Sequence, residues 1–139
     1  MDMSVKKFTQ AKNVNAQYLA PCSKKKNCVS SLADSSSDHY IDAFVFSENP
    51  QSDFLALQSV LSSMPGIGVI TVQQNYIHAK FKSRWFGFVD DLEFYWDEND
   101  ELCHVRSASR LGYYDFGVNR KRVERIRAEF IKSKKTADD

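Results

Sequence analysis

The chain has 139 residues, 42% hydrophobic and 13% aromatic, enough for one buried core with little room for a second. Lys and Arg number 19 against 18 Asp and Glu, a net charge of +1, so no overall field points to a nucleic acid or an acidic polymer as partner. No apolar run reaches the roughly 18 to 20 residues of a membrane span.

Residues 1–20 show no sustained period and read as a flexible arm. They also lack the apolar stretch of a secretory signal, so the chain as it stands is expected to be soluble, with its compartment open and cytoplasmic only if no export signal has been removed. A periplasmic or envelope location stays open for a protein whose export signal has been removed. Residues 21–133 then form a single α+β domain, and 134–139 a disordered tail.

Residues 21–38 are rich in Ser, Lys and Asn with few apolar anchors, which reads as a loop. Cys22 and Cys28 bracket a basic stretch that closes as a disulfide in an oxidising compartment and holds two free thiols in a reducing one. No second pair stands nearby to make a metal site, and His39 is isolated, so neither metal nor cofactor is expected. Cys103 lies in a strand pattern as a small apolar residue.

Aromatic and β-branched residues over 40–46 predict a strand. Asn49-Pro50 then opens a helix, with Asn as cap and Pro where a missing N–H is harmless. Phe54, Leu57, Leu61 and Met64 share its apolar face, and Pro65-Gly66 ends it. Strands follow at 68–73 and 76–83, joined at Gln74-Asn75; in the second, Ile77, Ala79 and Phe81 alternate with His78, Lys80 and Lys82. A longer strand spans 87–96 and turns through Glu98 to Glu101 into 102–109. The last element is a helix over 118–133 with Val123, Ile126 and Phe130 as its stripe. The order β-α-β-β-β-β-α predicts an antiparallel sheet of four to five strands with two helices on one face.

The hairpin register can be chosen from the apolar pattern. Pairing Trp96 with Cys103, Phe94 with Val105 and Leu92 with Ser107 makes one apolar face; a one-residue slip would mix charge into it. Asp91, Glu93, Arg106 and Arg110 then form a polar band on the outer face. Asp90 points inward with Ser107 and Ser109, where an unpaired carboxylate costs several kcal/mol, so it calls for a partner. Arg120, Lys121 and Arg122 occupy the first turn of the last helix, where the dipole disfavours cations by roughly 0.3 to 1 kcal/mol each. A negative group is required there, either a protein carboxylate such as Asp90, Asp91 or Asp115, or a bound anion.

Three functional readings follow. The first is a non-enzymatic domain that binds a small anionic ligand or acidic partner through Arg106, Ser107, Ser109, Arg110, Asn119, Arg120 and Arg122, with Asp90, Asp91, Glu93 and Asp115 as supporting carboxylates. The second treats the Arg/Asp set as an internal salt-bridge network in a structural or assembly domain of the cell envelope. The third is a hydrolase-like enzyme using Asp90 or His104. It has little to rest on: no Gly-x-Ser-x-Gly, His-Glu-x-x-His or Walker sequence occurs, and adjacent Asp90 and Asp91 point to opposite faces. Lysine runs at 24–26 and 132–135 are expected to be solvated, and nucleic acid is not an expected partner.

Pro21-Cys22, Asn27-Cys28-Val29-Ser30-Ser31, Gly87-Phe88-Val89-Asp90-Asp91, Val105-Arg106-Ser107-Ala108-Ser109-Arg110, Gly112, Asp115, Gly117-Val118-Asn119-Arg120 and Arg122-Val123 together resemble the bacterial and plastid domain of unknown function 1499 family. The resemblance spans about residues 21–130 and implies no established biochemical role. Members look envelope-associated or exported, some with membrane segments, which favours pairing of Cys22 with Cys28. The signature also coincides with the residues marked by register and dipole, strengthening the site reading there.

Overall fold

The structure, a computed structural model, describes residues 19–83, 87–99, 101–112 and 115–138. Its elements are β1 (Cys28–Ser30), β2 (Phe44–Val45), α1 (Pro50–Ser63), β3 (Ile67–Gln73), β4 (Tyr76–Lys82), β5 (Val89–Asp97), β6 (Leu102–Ser109) and α2 (Val118–Asp138). The strands form one six-stranded sheet in the order β1-β6-β5-β4-β3, with β2 also paired to β6. Both helices lie on one face of this α+β fold, because the apolar side of each joins the same core.

Alternation along the strands builds that core. Ile77 and Ala79 from β4, Leu92, Phe94 and Trp96 from β5, and Cys103 and Val105 from β6 point at the helices. Val60, Phe54, Leu57 and Leu61 of α1 and Val123, Ile126 and Phe130 of α2 cover them. Phe44 meets the Phe94 ring edge-on with centroids 5.5 Å apart, and Phe46 lies 6.1 Å from Trp96, so the short β2 segment fills the gap between sheet and helices.

The turns carry their own chemistry. Asn49 caps α1 through its Oδ1, which accepts from Ser52 N. After α1, Gly66 adopts φ +90°, and a Cβ there would stand 2.4 Å from Phe81 Cε1, so both conformation and space demand glycine.

Three expectations need correction. The segment read as a loop over 21–38 contains β1, antiparallel to β6 with Cys28 opposite Ala108 and Ser30 opposite Arg106. All three β1 residues are buried, so the polar and apolar alternation that would have revealed a strand is missing. The strand read over 40–46 shrinks to Phe44–Val45, because carbonyls upstream bond to arginine side chains rather than to a neighbouring strand. β1 thus brings the antiparallel sheet of the α+β plan to six strands. Residues 134–138, read as part of a disordered tail, continue α2, and Lys134 ties this turn to α1 by a 3.2 Å ion pair with the buried Asp53.

At the other end of the described chain, Leu19 is buried with Tyr76 and Tyr95 on the sheet face opposite the helices, and Leu32 packs beside them. Residues 1–18 of the arm lie outside the described residues. The sheet is therefore covered by helices on one side and partly by the 19–32 segment on the other.

Candidate functional site

The β5–β6 register pairs Asp90 with Ser109, Leu92 with Ser107 and Glu93 with Arg106. It sends Asp90, Ser107 and Ser109 toward α2, and Asp91, Glu93 and Arg106 to the outer face. The arginine, serine and aspartate residues thus divide into two sets on opposite sides of one sheet.

The inner set centres on Asn119, which has 0% exposure. Its Oδ1 accepts from Ser107 Oγ and from Arg122 Nη1 at 3.2 Å. Its Nδ2 faces three acceptors: Asp115 Oδ2 at 2.7 Å, Ser109 Oγ at 2.9 Å and the Asn27 carbonyl at 3.2 Å. One amide offers two donors and two lone pairs, so this side chain is fully engaged. Arg122 Nη1 reaches Asp90 Oδ2 at 2.7 Å, with side-chain exposures of 8% and 9%. The guanidinium also lies 3.9 Å from the centroid of the Phe81 ring. Burial pulls the Arg122 pKa down, and Asp90 opposes that pull.

Asp115 supplies the negative group at the start of α2. Its Oδ1 accepts from Gly117 N at 2.8 Å and its Oδ2 from Asn119 N at 3.2 Å, so the free N–H groups of the first turn meet a protein carboxylate. Asp115 N donates in turn to the Lys26 carbonyl, and Asn27 Nδ2 to Gly112 O at 2.7 Å. The strand β1, closed by a Cys22–Cys28 disulfide with Cα atoms 5.7 Å apart, is in this way tied to both sides of the loop before α2.

Arg120 joins neither set. Its Nη1 and Nη2 donate to the carbonyls of Tyr40 and Asp38 at 2.8 and 2.7 Å. Arg127, seven residues further along α2 and so near the same helix face, does the same for Ala43 and Asp42 at 2.9 and 2.7 Å. Between them these two arginines satisfy four carbonyls of the 38–43 segment. Sequence reasoning missed Arg127 and Asn27; a seven-residue repeat of arginine was the available signal for the first, and the resemblance motif around Cys28 for the second.

On the outer face, Arg110 grips Asp91 with two bonds of 2.8 and 3.0 Å, and His78 Nε2 lies 2.8 Å from the same carboxylate. Partial burial alone would raise the Asp91 pKa, but Arg110 and His78 outweigh it and hold it below the usual value. Glu93 accepts from Tyr76 Oη, and Arg106 Nη1 stands 3.4 Å from its other oxygen. Burial, then the Glu93 charge, pushes the Tyr76 phenol upward, so it stays protonated. Arg106 Nε is buried without a hydrogen-bond partner. His104 is buried, with Nδ1 3.0 Å from Ser31 Oγ, and Asp90 is closed over by Arg122, so neither presents an acid or base at the surface. Among the described residues, no group of three or more His, Cys, Asp or Glu could hold a metal ion, and no helix is long and apolar enough to cross a membrane.

A cleft of about 250 Å3 opens where β1, the 38–39 loop and the α2 start meet, lined by Lys26, His39, Asp38, Asp115, Gly117 and Arg120. Of the cluster marked in the sequence, it receives only Arg120 and Asp115.

Architecture and polar core together define a small α+β domain whose buried arginine, asparagine and aspartate knit a disulfide-closed strand to the last helix. The family model described as "Protein of unknown function (DUF1499)" matches residues 18–130, and the chain belongs to that family. Neither the curated proteins nor the solved structures contain a match to it.

Proposed function

We propose that this is a non-enzymatic structural domain in which the Asp90, Arg122, Asn119, Ser107, Ser109 and Asp115 cluster is an internal tie rather than a ligand site. The observation that carries this reading is Asn119: a fully buried amide with every donor and acceptor engaged by Asn27 just before β1, Ser107 and Ser109 of β6, Asp115 just before α2 and Arg122 of α2. A ligand would have to displace those bonds to reach the cluster. The Cys22–Cys28 pair fits an oxidising compartment such as the cell envelope.

Asn119→Ala tests the reading. It removes the acceptor of the buried Ser107 hydroxyl and the amide donor that links Ser109, Asp115 and the Asn27 carbonyl, at about 1 to 3 kcal/mol. Denaturant unfolding is expected to show that loss without any added ligand; unchanged stability would refute an internal tie.

The cleft at the α2 start supports a second reading, in which a small anion binds between Lys26, His39 and Arg120. Titration with inorganic phosphate is then expected to give saturable binding that Lys26→Ala weakens. Non-saturable binding, or an unaffected Lys26→Ala variant, would count against it.

A further inference from the structure

The three cysteines occupy two kinds of environment. Cys103 has 0% exposure in the core, where burial pushes its thiol pKa well up, so it is inert toward reagents in water. The Cys22–Cys28 bond is placed differently, and its two ends differ from each other. Cys22 is half-buried between exposed Pro21 and exposed Ser23, whereas Cys28 is 6% exposed in β1.

Backbone pairing holds only the Cys28 end. Cys28 stands opposite Ala108 in the β1–β6 ladder, and the preceding Asn27 is fixed through its side chain to Gly112 O and through its carbonyl to Asn119 Nδ2. The loop between the cysteines carries Lys24, Lys25 and Lys26, all exposed, and no acidic residue. Asp38 meets it at 4.0 Å from Lys26, which leaves a surplus of cations beside the sulfur pair. Partial exposure in an electropositive setting is what thiol exchange requires, and Cys22 has both.

We propose that Cys22–Cys28 is an exchange-active disulfide that accepts an acidic low-molecular-weight thiol at Cys22. The incoming thiolate bonds to the Cys22 sulfur, the Cys22–Cys28 bond breaks, and its electron pair leaves on Cys28 as a thiolate. A second thiolate attacks the reagent-derived sulfur of this mixed disulfide, which releases Cys22 as a thiolate and the reagent as its own disulfide. Both protein thiolates then take protons from water, so that two external thiols are oxidised and one protein disulfide is reduced. The lysines draw the anionic reagent to Cys22, and Lys26, which lines one cleft with Cys28, favours the leaving thiolate. Cys28 stays anchored on β6 while Cys22 is released among exposed neighbours, so the step needs no unfolding of the sheet. Neither sulfur bonds to Asn119, and failure of the exchange would leave the internal tie intact.

The test is incubation of the air-oxidised protein with glutathione, a quench with N-ethylmaleimide, and peptide mapping by mass spectrometry. A glutathionyl group on Cys22 and a maleimide on Cys28 are expected without denaturant. Lys24→Glu combined with Lys25→Glu, checked as folded by circular dichroism, is expected to slow this exchange about tenfold at low salt, with the gap closing as salt rises. Cysteamine, a cationic thiol, is expected to react faster with that variant than with wild type. Free thiols at both positions in the air-oxidised protein, an adduct on Cys28 alone, exchange only in denaturant, or equal glutathione rates in wild type and the folded variant would overturn the proposal.

Discussion

Asp90 and Asp91 are neighbours in one strand, each bonded to an arginine, yet their surroundings make them different interactions. Asp90 faces the helices, where Arg122 and its carboxylate are both more than nine-tenths buried. Asp91 faces outward, where Arg110 remains 46% exposed and solvent shares the work. Geometry favours the outer pair, which has two bonds against one. Burial reverses the ranking of what happens when a partner is lost, because an orphaned charge inside the protein cannot be resolvated.

The comparison is broken most severely at Asp90. Replacing it with Ala leaves the Arg122 guanidinium buried without its counter-ion and is expected to destabilise the fold by about 3 to 5 kcal/mol, measured by denaturant unfolding. Next in size is the disulfide that anchors β1 beside this network. Cys22→Ser with Cys28→Ser opens a loop of sequence separation 6 and is expected to remove about 2 kcal/mol, read from the unfolding midpoint of the oxidised protein against the variant.

The smallest effect belongs to Asp91→Asn, under about 1 kcal/mol at neutral pH. The folded Asp91 pKa lies below its ordinary value, so its contribution is present above the unfolded pKa and fades as pH falls through the folded one. Wild type and Asp91→Asn are therefore expected to differ at pH 7 and to converge only once the pH has fallen below the ordinary aspartate range, through the lowered folded-state pKa. A difference that persisted or grew in acid would show that Asp91 acts through something other than its charge.

The sheet-and-helix plan was largely legible because the alternation in β4, β5 and β6 and the 3.6-residue stripe of α2 each expose one apolar face. The same alternation set the β5–β6 register and so turned Asp90 inward. Its partner was not legible: Arg120, Lys121 and Arg122 are equivalent in sequence, and only the rotation of α2 on the sheet selects Arg122. Asn27 was still less accessible, since it bridges to Gly112 and Asn119 across separations of 85 and 92 residues. The 40–46 segment misled because β-propensity describes side chains, whereas the carbonyls there are taken by Arg120 and Arg127.

The most direct measurement is a double-mutant cycle on Asp90 and Arg122, using Asp90→Leu, Arg122→Met and both together in denaturant unfolding. The internal tie predicts that each single change destabilises strongly and that the double variant recovers most of the loss, because both charges leave the interior together. Additive losses, or single variants as stable as wild type, would contradict it.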